Sequence, residues 1–297
     1  MQHSPFSIRA LLADVLLALT LATALAACGG GSDSDADASS SSSSSSQASS
    51  AASSSASSSE SAASSSAATV LAADDFTTDL SRWQLEQESV DGRVSVANGV
   101  LDITQPAGAT LWFKQAFSGD YEIRFTARPI PYTVTVGGKT YTDRISDLNM
   151  FWNATDPATS NPDPTLTVRD GKLASYNALY LYYVGFGANG NSTTRLRNYD
   201  GSAARPQITG YATAASRTAA DTAGDMTPAT SLVANTPVKV RVVSRAATVA
   251  DKATLKWYAN DVLVFSYEDP APRLSGWFGF RTTVSHWQLS DFSVVRH

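Results

Sequence analysis

The sequence predicts an all-β domain, an antiparallel sandwich or jelly roll, and three observations carry that prediction. Apolar and polar residues alternate over short runs through residues 70–297, the period of half-buried strands. Dipeptides that favour two-residue hairpin turns separate the runs: Asn98-Gly99, Gly137-Gly138 and Asn260-Asp261. No convincing helix interrupts them, so the crossovers of a parallel sheet are missing. The absence of a blade-length repeat argues against a propeller.

The elements follow in order. Val94 to Ile103 reads as two short strands around Asn98-Gly99. Tyr121, Ile123, Phe125 and Ala127 alternate with Glu122, Arg124, Thr126 and Arg128. Tyr132 to Val136 and Lys139 to Thr142 flank Gly137-Gly138. Leu148, Met150 and Trp152 alternate with Asp147, Asn149, Phe151 and Asn153. Tyr176 to Gly187 is a long aromatic strand on which Tyr180 and Tyr182 share a face. Thr194 to Tyr199 follows, with Leu196 inward and Arg195, Arg197 and Tyr199 opposite. Val238, Val240 and Val242 mark a later strand, and two more flank Asn260-Asp261. In the last strands Phe278 and Phe280 belong in the core, with Trp277 and Arg281 on the other face. A turn over Thr282 to Ser285 is expected to bring His286 within reach of Arg281. The phase slip between Leu289 and Phe292 predicts a break near Asp291. Gly201 to Pro237 has few apolar anchors and reads as a long loop, a candidate lid.

The chain divides into residues 1–27, 28–69 and 70–297. Ala10 to Ala27 is apolar apart from Asp14 and two threonines, the layout of a signal peptide too short to span a bilayer. Residues 28–69 are rich in Gly, Ser, Asp and Ala, with eight consecutive serines from Ser39. Such a segment cannot bury enough surface to offset its ordering entropy. As a tether of roughly 40 residues it reaches about 35 Å by random-coil scaling. The remaining stretch, about 228 residues, suits one domain and a monomer. A net charge of −5 and a pI near 5.2 leave no nucleic-acid footprint. Cys28 is the single cysteine, which rules out an internal disulfide.

Two resemblances sharpen this. Leu25-Ala26-Ala27-Cys28 resembles a bacterial lipoprotein box, which implies cleavage before Cys28 and its lipidation; Gly29 after it implies an outer-membrane lipoprotein of the cell envelope. Asp74-Asp75-Phe76, Trp83, Asn98-Gly99-Val100-Leu101 and Asp291-Phe292-Ser293-Val294 look like a concanavalin-A-like lectin/glucanase domain of bacterial polysaccharide-degradation loci. More specifically, Tyr182-Tyr183-Val184-Gly185, Asn191 to Arg195, Arg197, Asp200-Gly201, and Gly276 to Thr283 with His286 resemble the bacterial family DUF6250. That resemblance covers most of residues 74–296. It implies the sandwich and brings no established chemistry.

The residues themselves narrow the chemistry. Glucanases of this superfamily carry E-x-D-x-E on one strand; this domain has only Glu86, Glu88, Glu122 and Glu268, none so spaced. There is no zinc motif and no G-x-S-x-G. The residues point to no certain cofactor; a structural calcium ion could use Asp75 and Asp291, with Asp74, if the first and last strands pair. The residue types present suit β-elimination on an acidic plant or algal polysaccharide. Arg195, Arg197 and Arg281 are expected to hold a carboxylate, with Asn149 in support, and His286 or Tyr182 to move protons. Asp147, Tyr180, Tyr199 and Trp277 complete the expected saccharide-binding face. A non-catalytic glycan-binding module on the same face, or a hydrolase with an atypical acid pair such as Asp147 and another Asp, remain as alternatives.

Overall fold

The structure, a computed structural model, describes residues 68–221 and 226–296. The expected leader, Cys28 and nearly all of the linker lie outside the described residues. The described residues form fifteen strands: β1 (Thr69–Asp74), β2 (Trp83–Gln87), β3 (Arg93–Ala97), β4 (Val100–Ser118), β5 (Tyr121–Ile130), β6 (Tyr132–Val136), β7 (Lys139–Arg144) and β8 (Leu148–Thr155). β9 (Tyr180–Gly187), β10 (Thr193–Asp200), β11 (Gln207–Ala212), β12 (Val238–Ser244), β13 (Leu255–Ala259), β14 (Val262–Tyr267) and β15 (Ser275–Arg296) follow. Every pairing is antiparallel.

The predicted hairpins form where the turn chemistry placed them. Asn98 and Gly99 (φ 52° and 80°), Gly137 and Gly138 (55° and 78°), and Asn260 and Asp261 (49° and 63°) all adopt positive φ. That is the I′ geometry whose twist matches the flanking strands.

Two long strands organise the sandwich. The first half of β15 pairs with β8, and the order runs β11-β10-β9-β8-β15, continued by β4 and β2. The second half pairs with β5, which leads to β12, β13 and β14, while β1 and β3-β4 add to its flanks. β15 passes from one sheet to the other across a bulge at Val284 (φ 45°). In place of the turn expected over Thr282 to Ser285, the strand continues. The break expected near Asp291 is a second bulge (φ 57°), which lets both Leu289 and Phe292 face the core. β11, inside the stretch read as a lid, was missed; its Thr209 and Gly210 pair with β10.

The core between the sheets is aromatic. Trp83 stacks on Phe280 (centroids 5.3 Å apart) and meets Phe113 and Phe292 edge-on. Its indole donates to Asp74 at 2.8 Å, so the buried N–H is satisfied. Phe278 and Phe280 are both interior, as their alternation requires. A second apolar cluster lies on the outer face of the first sheet. Trp112, Phe151, Leu181, Tyr183 and Tyr199 are packed there with Tyr176 and Leu179 from the preceding loop. Glu86 ties that loop down, accepting from the Trp112 indole (3.1 Å), the Tyr176 hydroxyl (2.8 Å) and the Arg169 N–H (3.0 Å).

Candidate functional site

Strand register writes one transverse row across the outer face of the first sheet. Glu86 pairs with Thr110, Thr110 with Arg281, Arg281 with Asn149, Asn149 with Gly185, Gly185 with Arg195, and Arg195 with Gly210. Residues in register share a face. The row therefore sets two arginines and an asparagine beside each other on seven neighbouring strands. A neighbouring row carries Phe151, Tyr183 and Arg197. Over these rows lies a cavity of about 390 Å³ lined by Asp147, Asn149, Tyr183, Arg195, Arg197, Tyr199 and Arg281, with Glu88, Arg144 and Arg205 at its walls. This is the size of a small-molecule or oligosaccharide site.

Gly185 makes room at the centre. A methyl group there would lie 2.6 Å from the Tyr183 hydroxyl oxygen, so the tyrosine ring folds down over the bare backbone. Gly185→Ala is expected to displace this phenol from its place in the cavity, so that any activity needing the phenol falls while ligand affinity and the fold are kept. Activity and ligand titration, alongside a melting curve, check this.

The five arginines of the cavity differ in their partners. Arg144 bonds Asp147 at 2.9 Å. Arg195 is gripped in a two-pronged pair by Asp221, at 2.9 and 2.8 Å, and donates to the Ser216 carbonyl. Arg195 in turn holds the Asp221 carboxyl far below the usual carboxylate range. Arg281 is 4 % exposed; it donates to the Gly171 carbonyl at 2.8 Å and lies 5.2 Å over the Tyr176 ring. Arg197 donates to the Arg205 carbonyl at 2.8 Å and to Gln207 at 3.3 Å. Among the described residues Arg197, Arg205 and Arg281 make no ion pair. These three are the cations with charge to spare.

The remaining polar groups are equally poised. Asn149 is 3 % exposed, and its Oδ1 is buried without a hydrogen-bond partner among the described residues. Burial pushes the Asp147 carboxyl up, more than Ser146 and Arg144 pull it down. Burial, aided by Tyr199 and Asp147, raises the Tyr183 phenol, and burial likewise raises Tyr199. A broader depression of about 650 Å³ on the other sheet holds Arg124 and Arg241. Both of these pair with the buried Glu122, so the depression offers less free charge.

The structure brings Asp147, Asn149, Arg195, Arg197, Tyr199 and Arg281 together and leaves four expected residues outside. Tyr182 faces the inter-sheet core; its hydroxyl donates to Asp269 at 2.5 Å and accepts from the Arg273 N–H. Tyr183, its neighbour, takes the outer face. Tyr180 is half-exposed at the strand end, with the Arg273 guanidinium 5.2 Å from its ring. His286 does not line the cavity, because β15 runs on past Val284 into the second sheet. There its Nε2 lies 3.0 Å from both Asp102 oxygens. Trp277 shares the outer face but packs against the second apolar cluster. The calcium expectation is also corrected. Asp74 is used by the Phe76 N–H and Trp83, Asp75 by Thr77, and Asp291 by Ser290. Asp75 and Asp291 line different depressions. Among the described residues no three metal-ligating side chains gather.

Fold and site define a two-sheet antiparallel sandwich with a cationic cavity on the outer face of one sheet. The profile of the family described as a domain of unknown function, DUF6250, matches residues 103–292, and the chain belongs to that family. No curated protein matches it. Among solved structures, a Bacillus subtilis protein of unknown function with a galectin-like fold is 16% identical, covering 77% of this chain and 96% of its own, with a TM-score of 0.54. The carbohydrate-binding module CBM66 from Bacillus subtilis is 11% identical over 72% of this chain and 95% of its own, with a TM-score of 0.44. A structure from work on endo-acting O-glycanases of the human gut microbiota is 11% identical over 76% of this chain and 99% of its own, with a TM-score of 0.46. The first likeness shows the fold; the other two are weaker.

Proposed function

We propose that this domain binds acidic polysaccharide in the arginine-lined cavity and cleaves it by β-elimination. One observation carries the reading: among the described residues the buried Arg281 makes no ion pair and stands in register beside a buried acceptor with no hydrogen-bond partner, the Asn149 Oδ1. Leaving either group unsatisfied costs stability. A uronic sugar answers both, its carboxylate to the guanidinium and a hydroxyl to the amide oxygen.

The chemistry follows from the neighbours. Elimination breaks the C5–H bond, and its electron pair forms the C4=C5 double bond. The C4–O4 pair departs with O4, which takes a proton. Arg281 neutralises the sugar carboxylate and so acidifies C5. Asp147, its carboxyl raised by burial, takes the C5 proton. Tyr183, its phenol held protonated by burial, gives a proton to O4. A base works only when ionised, so activity is expected to fall as pH drops through a value above the ordinary carboxylate 3.8. The donor fails as pH rises through a value above the ordinary phenol 10. A pH–rate profile checks both limbs; an acid limb that survives unchanged in Asp147→Asn would assign the base elsewhere.

The test of the reaction uses pectic, ulvan-like and glucuronan polymers, following ultraviolet absorbance and reducing ends together. Both rising in step supports elimination. Reducing ends without absorbance would mean hydrolysis, for which Asp147 and Glu88, both at the cavity, are the available acids. Retarded migration in a polysaccharide gel with neither signal would leave a binding module. For location, we propose a lipid anchor at Cys28 on the cell envelope, with the serine-rich segment as tether. Cys28→Ser should release the protein from membranes, and unchanged fractionation would refute the anchor.

A further inference from the structure

Arg197, Arg205 and Arg281, which make no ion pair among the described residues, stand at two ends of the cavity. Arg281 rises from β15, fixed by the Gly171 carbonyl and the Tyr176 ring. Arg197 lies on β10, three strands away through β8 and β9, and Arg205 follows it on the connection to β11. At ~4.8 Å per strand, the β15 and β10 backbones are about 14 Å apart. Asn149 and Tyr183 occupy the strands between.

The β10 end has the marks of an anion site in its own right. Arg205 and Arg197 are neighbouring cations, and neither has a carboxylate partner among the described residues. Arg205 holds a left-handed backbone conformation (φ 49°), uncommon for a residue other than glycine. Its Nε is buried without a hydrogen-bond partner among the described residues, a donor that a bound anion would satisfy. Arg197 donates to the Arg205 carbonyl and so braces that backbone. Gln207 steadies the Arg197 guanidinium.

We infer that the cavity holds two anionic groups at once: the carboxylate of the reacting sugar at Arg281, and a second anion, carboxylate or sulfate, at Arg197 and Arg205. The substrate is then a chain with acidic groups on neighbouring sugars. This rests on the reading that the cavity binds acidic polysaccharide.

Calorimetric titration of the full-length protein with three polymers tests it. One carries a carboxylate on every sugar, one alternates uronate with neutral sugar, and one is the alternating polymer sulfated on the neutral sugar. The wild type is expected to bind the first and third about tenfold more tightly than the second, the worth of one charge-assisted contact. Tighter binding of the first alone identifies the second anion as carboxylate; of the third alone, as sulfate. Arg205→Gln should erase that advantage and leave the alternating polymer unchanged, while Arg281→Gln weakens all three. Arg205→Lys, which keeps the charge but not the fork, should retain part of the advantage and controls for misfolding. Equal wild-type affinity for the three polymers, or an Arg205→Gln effect equal on all three or absent, overturns the second subsite. Wild-type failure to bind any of the three overturns the polysaccharide reading itself.

Discussion

Arg281→Gln is expected to weaken binding of acidic polysaccharide about 100-fold, the loss of ~3 kcal/mol typical of a buried, charge-assisted contact. The catalytic efficiency should fall at least as far, because the neutralised carboxylate is what makes C5 acidic. The size of the effect comes from burial. Arg281 is 4 % exposed, so water competes poorly for the anion and the local field is strong. Its guanidinium is already positioned by the Gly171 carbonyl and the Tyr176 ring, and little ordering is left to pay at binding. The same contacts give the substitution a structural cost of about 1 kcal/mol for the lost hydrogen bond. Melting temperature and affinity therefore need to be measured together. A variant that melts slightly lower and still binds normally would remove Arg281 from the site.

Tyr183→Phe is the complementary case, expected to cost kcat about 10²–10⁴-fold, the range for a general acid, with little change in affinity. The substitution deletes one oxygen. That hydroxyl has no hydrogen-bond partner among the described residues, so the melting temperature should not move. Tyr182→Phe is the control. It severs a buried bond to Asp269 and should lower stability by about 1–2 kcal/mol while the chemical step is spared. Steady-state kinetics and melting curves of the two variants separate a reacting phenol from a structural one. If Tyr182→Phe loses the turnover and Tyr183→Phe does not, the assignment of faces to roles is wrong.

That pair of tyrosines also shows how far a sequence can be read. Alternation is sound where one face is plainly apolar: Leu148, Met150 and Leu196 pointed inward, and Asp147, Asn149, Arg195 and Arg197 followed onto the opposite face. In the aromatic run of β9 both faces are apolar, because the outer one carries a second cluster under a loop. The phase was still present in the sequence, since Val184 and Phe186 share parity with Tyr182 and mark it as interior. Glu88 and Arg205 reach the cavity from connections, where no periodicity applies, and Arg144 from the last position of β7. His286 was misplaced for another reason. Whether a strand turns back or bulges at Val284 depends on which sheet receives the second half of β15, and that is a matter of long-range pairing. The acids read as calcium ligands bond nearby groups instead, Asp74 and Asp75 at the end of β1 and Asp291 at the second bulge of β15.

Digestion of an acidic polymer in heavy-oxygen water tests most directly whether cleavage proceeds by elimination. Elimination takes no oxygen from solvent at the cleaved bond. The expected fragments carry no heavy oxygen at their new ends beyond slow exchange at the reducing carbon, and each unsaturated fragment lacks the elements of water by mass. Fragments of full hydrated mass, with one solvent oxygen fixed at each cleavage, would contradict elimination and make the reaction a hydrolysis.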